Sequence, residues 1–458
     1  MKVIICGAGL IGMGIAKYLS REETDIVVVD ASEELLRDIS DSLDVQTVHG
    51  SPSHPDVLEK AGAKEAHLII AVTPHDEINI VACQIAHSLF EVPLKISYIK
   101  DHAYFNPEWA DLFSPTNIPI NVLISPEREI ARTISRTIQV PGAFNVIPLI
   151  EDKINVIGVR CSAHCSATFI PLRQLTNLFP DLNIMVLAIL RADKLILTNP
   201  EEQMLPGDDI YFIAEKSHVM RAMQVFGCEK PTSRNVLILG GGNIGIMIAR
   251  ELENIVLDMT IKLIEINRTQ ATLAAGQLEK SIVLCGDALD TQILSEANIA
   301  HTESLIAVTN DNEVNILASL LGKRNGASQA ITLINNPTYS ALVTPLGIDA
   351  VISPRDITIS SILHYVRRGR VRSVYTLREG IGELMEAEVL ENSSMIGCPI
   401  HSINDPKKFI IGAVVRDGQV IIAYDSLILK MGDLVVLFAK SSAVHEAEKL
   451  FSNKGDYL

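Results

Sequence analysis

Val3-Ile4-Ile5-Cys6-Gly7-Ala8-Gly9-Leu10-Ile11-Gly12 stands at the start of the chain, and a second version, Val236-Leu237-Ile238-Leu239-Gly240-Gly241-Gly242-Asn243-Ile244-Gly245, begins just past its middle. Each is a short apolar run that reads as a buried strand, then Gly-x-Gly-x-x-Gly, then a helical pattern. In such a loop the first glycine makes the tight turn, the second lets a pyrophosphate approach the backbone, and the third lets helix and strand pack closely. The N–H groups and positive dipole end of the following helix complete an anion site. A single triplet is also compatible with a plain strand–helix turn. Here each copy is followed by a further apolar run that ends in an acid: Val27-Val28-Val29 before Asp30, and Lys262-Leu263-Ile264 before Glu265. A carboxylate in that place accepts hydrogen bonds from ribose. Strand, loop, helix, strand and acid, in order and twice, predict two dinucleotide sites.

The surrounding sequence supports that frame. Residues 1–123 alternate apolar runs (3–6, 26–29, 68–72, 120–124) with helical patterns, which implies a parallel sheet covered on both faces. At Ile124-Ser125-Pro126-Glu127, serine in the N-cap position and proline at the first helical position start a helix. Ile130, Ile134 and Ile138 give it an apolar stripe, and Pro141-Gly142 ends it. Residues 143–228 have no glycine loop. Met185 to Leu190 and Leu195 to Leu197 flank Arg191-Ala192-Asp193-Lys194 as a hairpin, and Pro206-Gly207-Asp208-Asp209 turns into Ile210-Tyr211-Phe212-Ile213. Cys228 to Arg234 forms a polar linker.

Then the whole pattern repeats. Val48-His49-Gly50-Ser51 returns as Leu284-Cys285-Gly286-Asp287. Ala71-Val72-Thr73-Pro74, with Asp76-Glu77 and Asn79, returns as Ala307-Val308-Thr309-Asn310, with Asn312-Glu313 and Asn315. Ile124-Ser125-Pro126 returns as Ile352-Ser353-Pro354, and Gly207-Asp208 as Gly432-Asp433. Gly412 to Val420 reads as a hairpin on an Asp417-Gly418 turn. The expected fold class is α/β: two tandem Rossmann-like nucleotide-binding domains, each followed by a small α+β domain. The boundaries predicted are 1–123 and 232–351 for the nucleotide domains, 124–142 and 352–370 for connector helices, and 143–228 and 371–458 for the small domains. The apolar stripes of the connectors are expected to face partner chains, which points to an oligomer.

Composition narrows the functional classes. The chain has 458 residues, 48% of them apolar, enough for several cores. No apolar run reaches the ~18 residues a membrane helix needs, and the N-terminus enters a strand by Val3 without the charged segment of a signal peptide. A net charge of −16 argues against nucleic acid or anionic lipid as a partner. Seven cysteines without paired spacing suit a reducing cytoplasm. Cys161-x-x-His164-Cys165 lacks the second pair of a zinc site, so no metal is expected. Asp76, Glu77 and Glu313 at expected helix starts suit either a ligand or the helix dipole. His49, His54 and His75 have no partner pattern for catalysis and read as surface or crevice lining. The basic run Arg367-Arg368-Gly369-Arg370-Val371-Arg372 reads as a solvated helix end, or as a contact to an acidic partner or a neighbouring subunit.

These residues closely resemble the TrkA family, the peripheral subunits of bacterial Trk potassium-uptake systems, built from two RCK (regulator of potassium conductance) units. The resemblance covers essentially the whole chain. It rests on the Gly-Ala-Gly-x-x-Gly loop with Asp30, His49-Gly50-Ser51 with His54-Pro55, Ala71-Val72-Thr73 with Asp76-Glu77 and Asn79, the second glycine loop with Glu265, and Gly412-Ala413-Val414-Val415-Arg416. It implies a cytoplasmic ring, a tetramer of two-unit chains, on the inner face of the membrane under a membrane-embedded Trk-type potassium channel subunit. NAD(H), and ATP or ADP as further ligands, would change the ring's shape and so the channel's gate. By position, the pyrophosphate would lie on Gly7, Ala8, Gly9, Leu10, Ile11 and Gly12 in one half. In the other it would lie on Gly240, Gly241, Gly242, Asn243, Ile244 and Gly245. Asp30 and Glu265 would hold ribose, and Thr73-Pro74 and Thr309-Asn310 would line the crevices. The chain departs from the family pattern at Ile96-Ser97-Tyr98-Ile99-Lys100, so the basic phosphate contact expected near Tyr98 would pass to Lys100, with no counterpart in the second half. The competing reading is an NAD-dependent oxidoreductase. That function needs an acid/base cluster over the nicotinamide, the small domains show none, and no catalytic residue is expected.

Overall fold

The computed structural model describes residues 1–20, 24–114, 116–163, 165–179, 182–192, 194–228, 233–255, 258–366, 373–377 and 381–451. His164, Asp193, residues 229–232 of the polar linker and the basic run from Arg367 to Arg372 lie outside the described residues. The chain divides into two compact units, 1–129 with 355–366, and 130–354 with 367–458.

The first unit is a six-stranded sheet of β1 (Lys2–Cys6), β2 (Asp25–Asp30), β3 (Gln46–His49), β4 (Leu68–Ala71), β5 (Leu94–Tyr98) and β6 (Val122–Ile124). All neighbours pair in parallel, in the order β3-β2-β1-β4-β5-β6. The order reverses between β1 and β4, which is where an open α/β sheet leaves a crevice at its strand ends. Alternation along β1 sends Val3 and Ile5 to one core and Ile4 and Cys6 to the other. Burial on both faces explains why these strands read as unbroken apolar runs.

The core that holds Val3, Ile5 and Ile15 is closed by a helix from far along the sequence, Pro354–Val366. Its Ile359, Ile362, Leu363 and Val366 are buried in that cluster. The packing is close enough that a Cβ on Gly14 would come 2.2 Å from Ile359 Cδ1. In the other connector, Pro126–Gln139, Ile130, Ile134 and Ile138 are also buried. The apolar stripes expected to await partner chains are therefore covered within one chain. The helix start at Pro126 stands as expected, but the Ser125 hydroxyl is buried without a hydrogen-bond partner, so it makes no N-cap bond.

The second unit contains a second parallel sheet: β12 (Asn235–Leu239), β13 (Thr260–Glu265), β14 (Ile282–Cys285), β15 (Ser304–Ala307), β16 (Gln329–Leu333) and β17 (Ala350–Ile352). Its order, β14-β13-β12-β15-β16-β17, repeats the first. Two antiparallel five-stranded sheets accompany it. One comprises β7 (Ala143–Leu149), β8 (Ile154–Arg160), β9 (Ile184–Arg191), β10 (Lys194–Leu197) and β11 (Asp209–Glu215). The other comprises β18 (Ser373–Leu377), β19 (Gly382–Glu388), β20 (Phe409–Arg416), β21 (Gln419–Ile422) and β22 (Leu434–Lys440). Both expected hairpins form, with Arg191 paired to Lys194 and Arg416 to Gln419. Asp417 and Gly418 take φ of 50° and 80°, the left-handed pair that a two-residue hairpin turn requires.

One face of each antiparallel sheet packs on the other, Leu187, Tyr211 and Ile213 against Leu384, Ile410 and Phe438. At the edge of this joint the Ile150 N–H donates to the Glu386 carboxylate at 2.6 Å. The sequence presents Asp208 and Asp433 as turn acids, but both are buried. Arg191 forks onto Asp208 at 3.0 and 2.8 Å, and Arg416 onto Asp433 at 2.8 and 2.7 Å. A bidentate guanidinium compensates the burial of each carboxylate, and the small domains are clamped rather than merely connected there.

Candidate functional site

Gly7 leaves β1 at φ +116° and Gly240 leaves β12 at +110°. Besides that dihedral, a side chain at either position would meet the neighbouring strand end, with Val72 O 2.9 Å from a Cβ on Gly7 and Val308 O 3.0 Å from one on Gly240. A Cβ on Gly12 would sit 1.8 Å from the Gly7 carbonyl oxygen, and one on Gly245 1.9 Å from that of Gly240. The third glycine thus lets the helix fold back over the loop's own first residue. Around the second glycine, Gly9 or Gly242, nothing lies within 4 Å of the Cβ position. Two glycines of each triplet relieve contacts inside the protein, and the middle one faces open space. Leu10 and Asn243, which open the two helices, are exposed beside it.

The two acids converge on their loops. Asp30 accepts hydrogen bonds from Ala8 N at 2.6 Å and Ser32 N at 2.7 Å. Glu265 accepts from Gly241 N at 2.7 Å and Asn267 N at 2.8 Å. Each carboxylate ties the glycine loop to the start of the next helix and keeps further lone pairs free to accept. The loop residue that donates to the acid differs between the two copies. A Cβ on Gly241 would lie 2.9 Å from Glu265 Cβ and 3.1 Å from its Cγ, whereas Ala8 carries its Cβ beside the shorter aspartate.

The far wall of each crevice is held by a buried asparagine. Asn79 Oδ1 accepts from Thr73 N (2.9 Å) and Thr73 Oγ1 (2.7 Å), and its Nδ2 donates to Thr73 O (3.0 Å) and Tyr98 O (2.9 Å). Asn315 repeats all four bonds with Thr309 and the Leu333 carbonyl. With every polar valence used, the asparagine fixes the ends of two adjacent strands. In the sequence these residues show as members of the repeat, and Asn79 also as part of the family resemblance, but not as clamps. Asp76 opens the Asp76–Ser88 helix, where an acid suits the dipole, and its carboxylate has a structural task besides. It is buried and accepts from Lys100 N and Asp101 N at 2.8–3.1 Å, and Asn312 does the same for Asn335 N at 2.8 Å. Acceptance by oxygen is what both positions share, so acid and amide serve alike. Glu77 is exposed, and Glu313 accepts from the Tyr339 hydroxyl at 2.6 Å.

Tyr98 does not face the crevice mouth. Its side chain lies in the core with Ile124, Ile15 and Ile359, and burial, reinforced by Glu127 and Asp76, raises its phenol well above the ordinary range. Lys100 does reach the mouth, with Nζ 3.5 Å from the Pro74 carbonyl and 5.8 Å from the Tyr98 ring. Pro74 and Asn310 are exposed at the rim. His49 Nε2 lies 3.0 Å from the Ala31 carbonyl, and His54 and His75 sit exposed at helix starts. Among the described residues no group of three or more His, Cys, Asp or Glu side chains could hold a metal ion.

The sequence matches the TrkA-N domain over residues 3–126 and again over 236–354, and the TrkA-C domain over 384–452. The chain belongs to the TrkA family. It is 44% identical to the Trk system potassium uptake protein TrkA of Azorhizobium caulinodans, covering 98% of both chains. It is 38% identical to that of Halomonas elongata, again over 98% of both. In fold it is similar to the GsuK channel bound to NAD, with a TM-score of 0.60 at 18% identity, over 98% of this chain and 78% of that one. The expected architecture holds: a TrkA chain with two Rossmann-type nucleotide-binding domains and two antiparallel modules.

Proposed function

We propose that this TrkA chain is the nucleotide-sensing regulatory subunit of a potassium-uptake system, gating flux through a membrane-embedded Trk-type channel subunit. The observation that carries this reading is that both crevices keep a middle glycine facing open space with a ribose-type carboxylate anchored beside it. NAD(H) fits such a crevice, and ATP or ADP share its adenosine-phosphate part. Gly7 to Gly12 and Gly240 to Gly245 would cradle phosphates on backbone N–H groups at helix starts. Asp30 and Glu265 would take ribose, Thr73-Pro74 and Thr309-Asn310 would line the crevices, and Lys100 would add a cation in the first alone. The relatives are named for potassium uptake, which favours a regulator over an oxidoreductase.

No helix among the described residues is long and apolar enough to cross a membrane. The chain would act from the cytoplasmic face, as a homo-oligomer and most simply a tetramer. A nucleotide shifts such a ring only by its differential affinity for two shapes. The direct test is potassium flux through the membrane subunit reconstituted with this chain, recorded with NADH, NAD⁺, ATP and ADP in turn. Flux that responds to nucleotide, and loses the response when Gly9 and Gly242 are both alanine, is the expected result. Flux indifferent to every nucleotide overturns the reading.

A further inference from the structure

The two crevices differ at their ribose ends. After Asp30 the chain runs Ala31-Ser32-Glu33-Glu34, and both glutamates lie exposed in the first turn of the Glu33–Ser42 helix. Glu33 pairs with Arg37 at 2.8 Å, while Glu34 has no ionic partner among the described residues. After Glu265 the chain runs Ile266-Asn267-Arg268-Thr269, and the Arg268–Gln277 helix has no acid in its first turn. The two segments are built alike. Ser32 and Asn267 cap their helices by accepting from Leu35 N and Gln270 N, and each gives its own N–H to the ribose-type acid. Arg268 therefore stands where the first crevice has Glu33. It is exposed and makes no ion pair or side-chain hydrogen bond among the described residues. Gln270 donates to the Gly241 carbonyl at 2.6 Å, which ties this helix to the glycine loop, whereas the first crevice has exposed Leu35 there.

A carboxylate on the ribose repels a phosphate carried on the same sugar, and a nearby guanidinium both offsets that charge and binds phosphate oxygens as a fork. In the first crevice Glu34 adds a further carboxylate, Glu33 being paired with Arg37. The geometry points to Arg268 as a specificity-determining residue: the second crevice accepts dinucleotides phosphorylated on the adenosine ribose, the NADP(H) class, which the first rejects. This rests on reading both crevices as dinucleotide sites.

Calorimetry of the full chain with NADH and NADPH separates the two claims. Asp30→Ala leaves the second crevice to be read and Glu265→Ala leaves the first, with Asp30→Asn and Glu265→Gln in reserve should thermal melting show either alanine variant misfolded. The ratio of NADPH to NADH dissociation constants is expected to be about tenfold or more higher in the first crevice than in the second. Adding Arg268→Glu to the Asp30 variant is expected to raise the second crevice's ratio by a similar factor. Equal ratios, or a ratio indifferent to Arg268→Glu, overturn the inference and leave the dinucleotide reading intact. Failure of NADH to bind the unsubstituted chain overturns both.

Discussion

Gly9 and Gly12 belong to one loop, yet alanine at each has an opposite expected outcome. At Gly12 or Gly245 the new methyl would lie 1.8 or 1.9 Å from a carbonyl oxygen. The loop must open, and a loss of about 3 kcal/mol or more in denaturant unfolding is expected. Gly9 has an ordinary φ of −67° and open space around it, so Gly9→Ala should keep stability within about 1 kcal/mol while weakening nucleotide in calorimetry by about tenfold. Unchanged affinity in Gly9→Ala would mean that no pyrophosphate lies on that loop. Gly241→Ala should destabilise in denaturant unfolding, because a Cβ there meets Glu265 Cβ at 2.9 Å and Leu263 Cδ2 at 3.1 Å. At this scale the glycines and acids were legible in the sequence because each has a fixed chemical job at a fixed place in the chain. The contact of Gly241 with Glu265 was not, since it exists only across the space between two strands. Asn79 and Asn315 were legible as repeated letters and not as the clamps they are.

At the scale of elements, strands, hairpins and helix starts followed from apolar period and turn chemistry, while the partners of polar groups did not. Asp208 and Asp433 read as turn acids because their arginines lie on another strand, at the end of β9 and of β20. The Asn243–Ile255 helix poses a similar case, since it carries an acid near the end where the dipole favours a cation. Glu253 is buried there and accepts from Lys280 N (3.0 Å), Ser281 N (2.8 Å) and Ser281 Oγ (2.6 Å), joining the helix to the chain before β14. Burial alone would raise its pKa, but the Ser281 hydroxyl and the backbone N–H groups outweigh burial and hold it below the usual value. A carboxyl whose folded pKa is depressed stabilises the fold above its unfolded pKa and loses that contribution as pH falls through the folded value. Glu253→Gln should therefore cost about 1–3 kcal/mol in urea unfolding at neutral pH, with the gap narrowing below about pH 4. An equal gap at both pH values would show that the carboxylate's charge is irrelevant to the joint.

At the scale of the whole molecule the duplication conceals an exchange. Periodicity shows that a helix has an apolar face but not what covers it, so Pro354–Val366 read as a connector awaiting a partner chain. Instead Ile359, Ile362, Leu363 and Val366 complete the core of the first unit. Burying these side chains contributes roughly 1.5–3 kcal/mol each, a sum comparable to the net stability of a whole domain. A fragment ending at residue 228 is accordingly expected to expose that face, bind a hydrophobic dye and lack a cooperative melt, despite containing every strand of the first sheet. In the full chain the same packing links a ligand to a distant segment. Nucleotide bound in the first crevice stabilises whatever folds with it, by RT ln(1 + [L]/Kd). Helix 354–366 follows the second nucleotide domain in sequence but packs in the core of the first, so it is expected to unfold with it. Saturating NADH in the Glu265→Ala variant, where the first crevice alone remains tight, should therefore slow amide exchange across residues 355–366 as well as in β1 and β4. Slowed exchange confined to residues 1–129 would show that the helix opens independently of the sheet it covers. Slowed exchange across both would show that a nucleotide in the first half of the chain is felt at the end of the second.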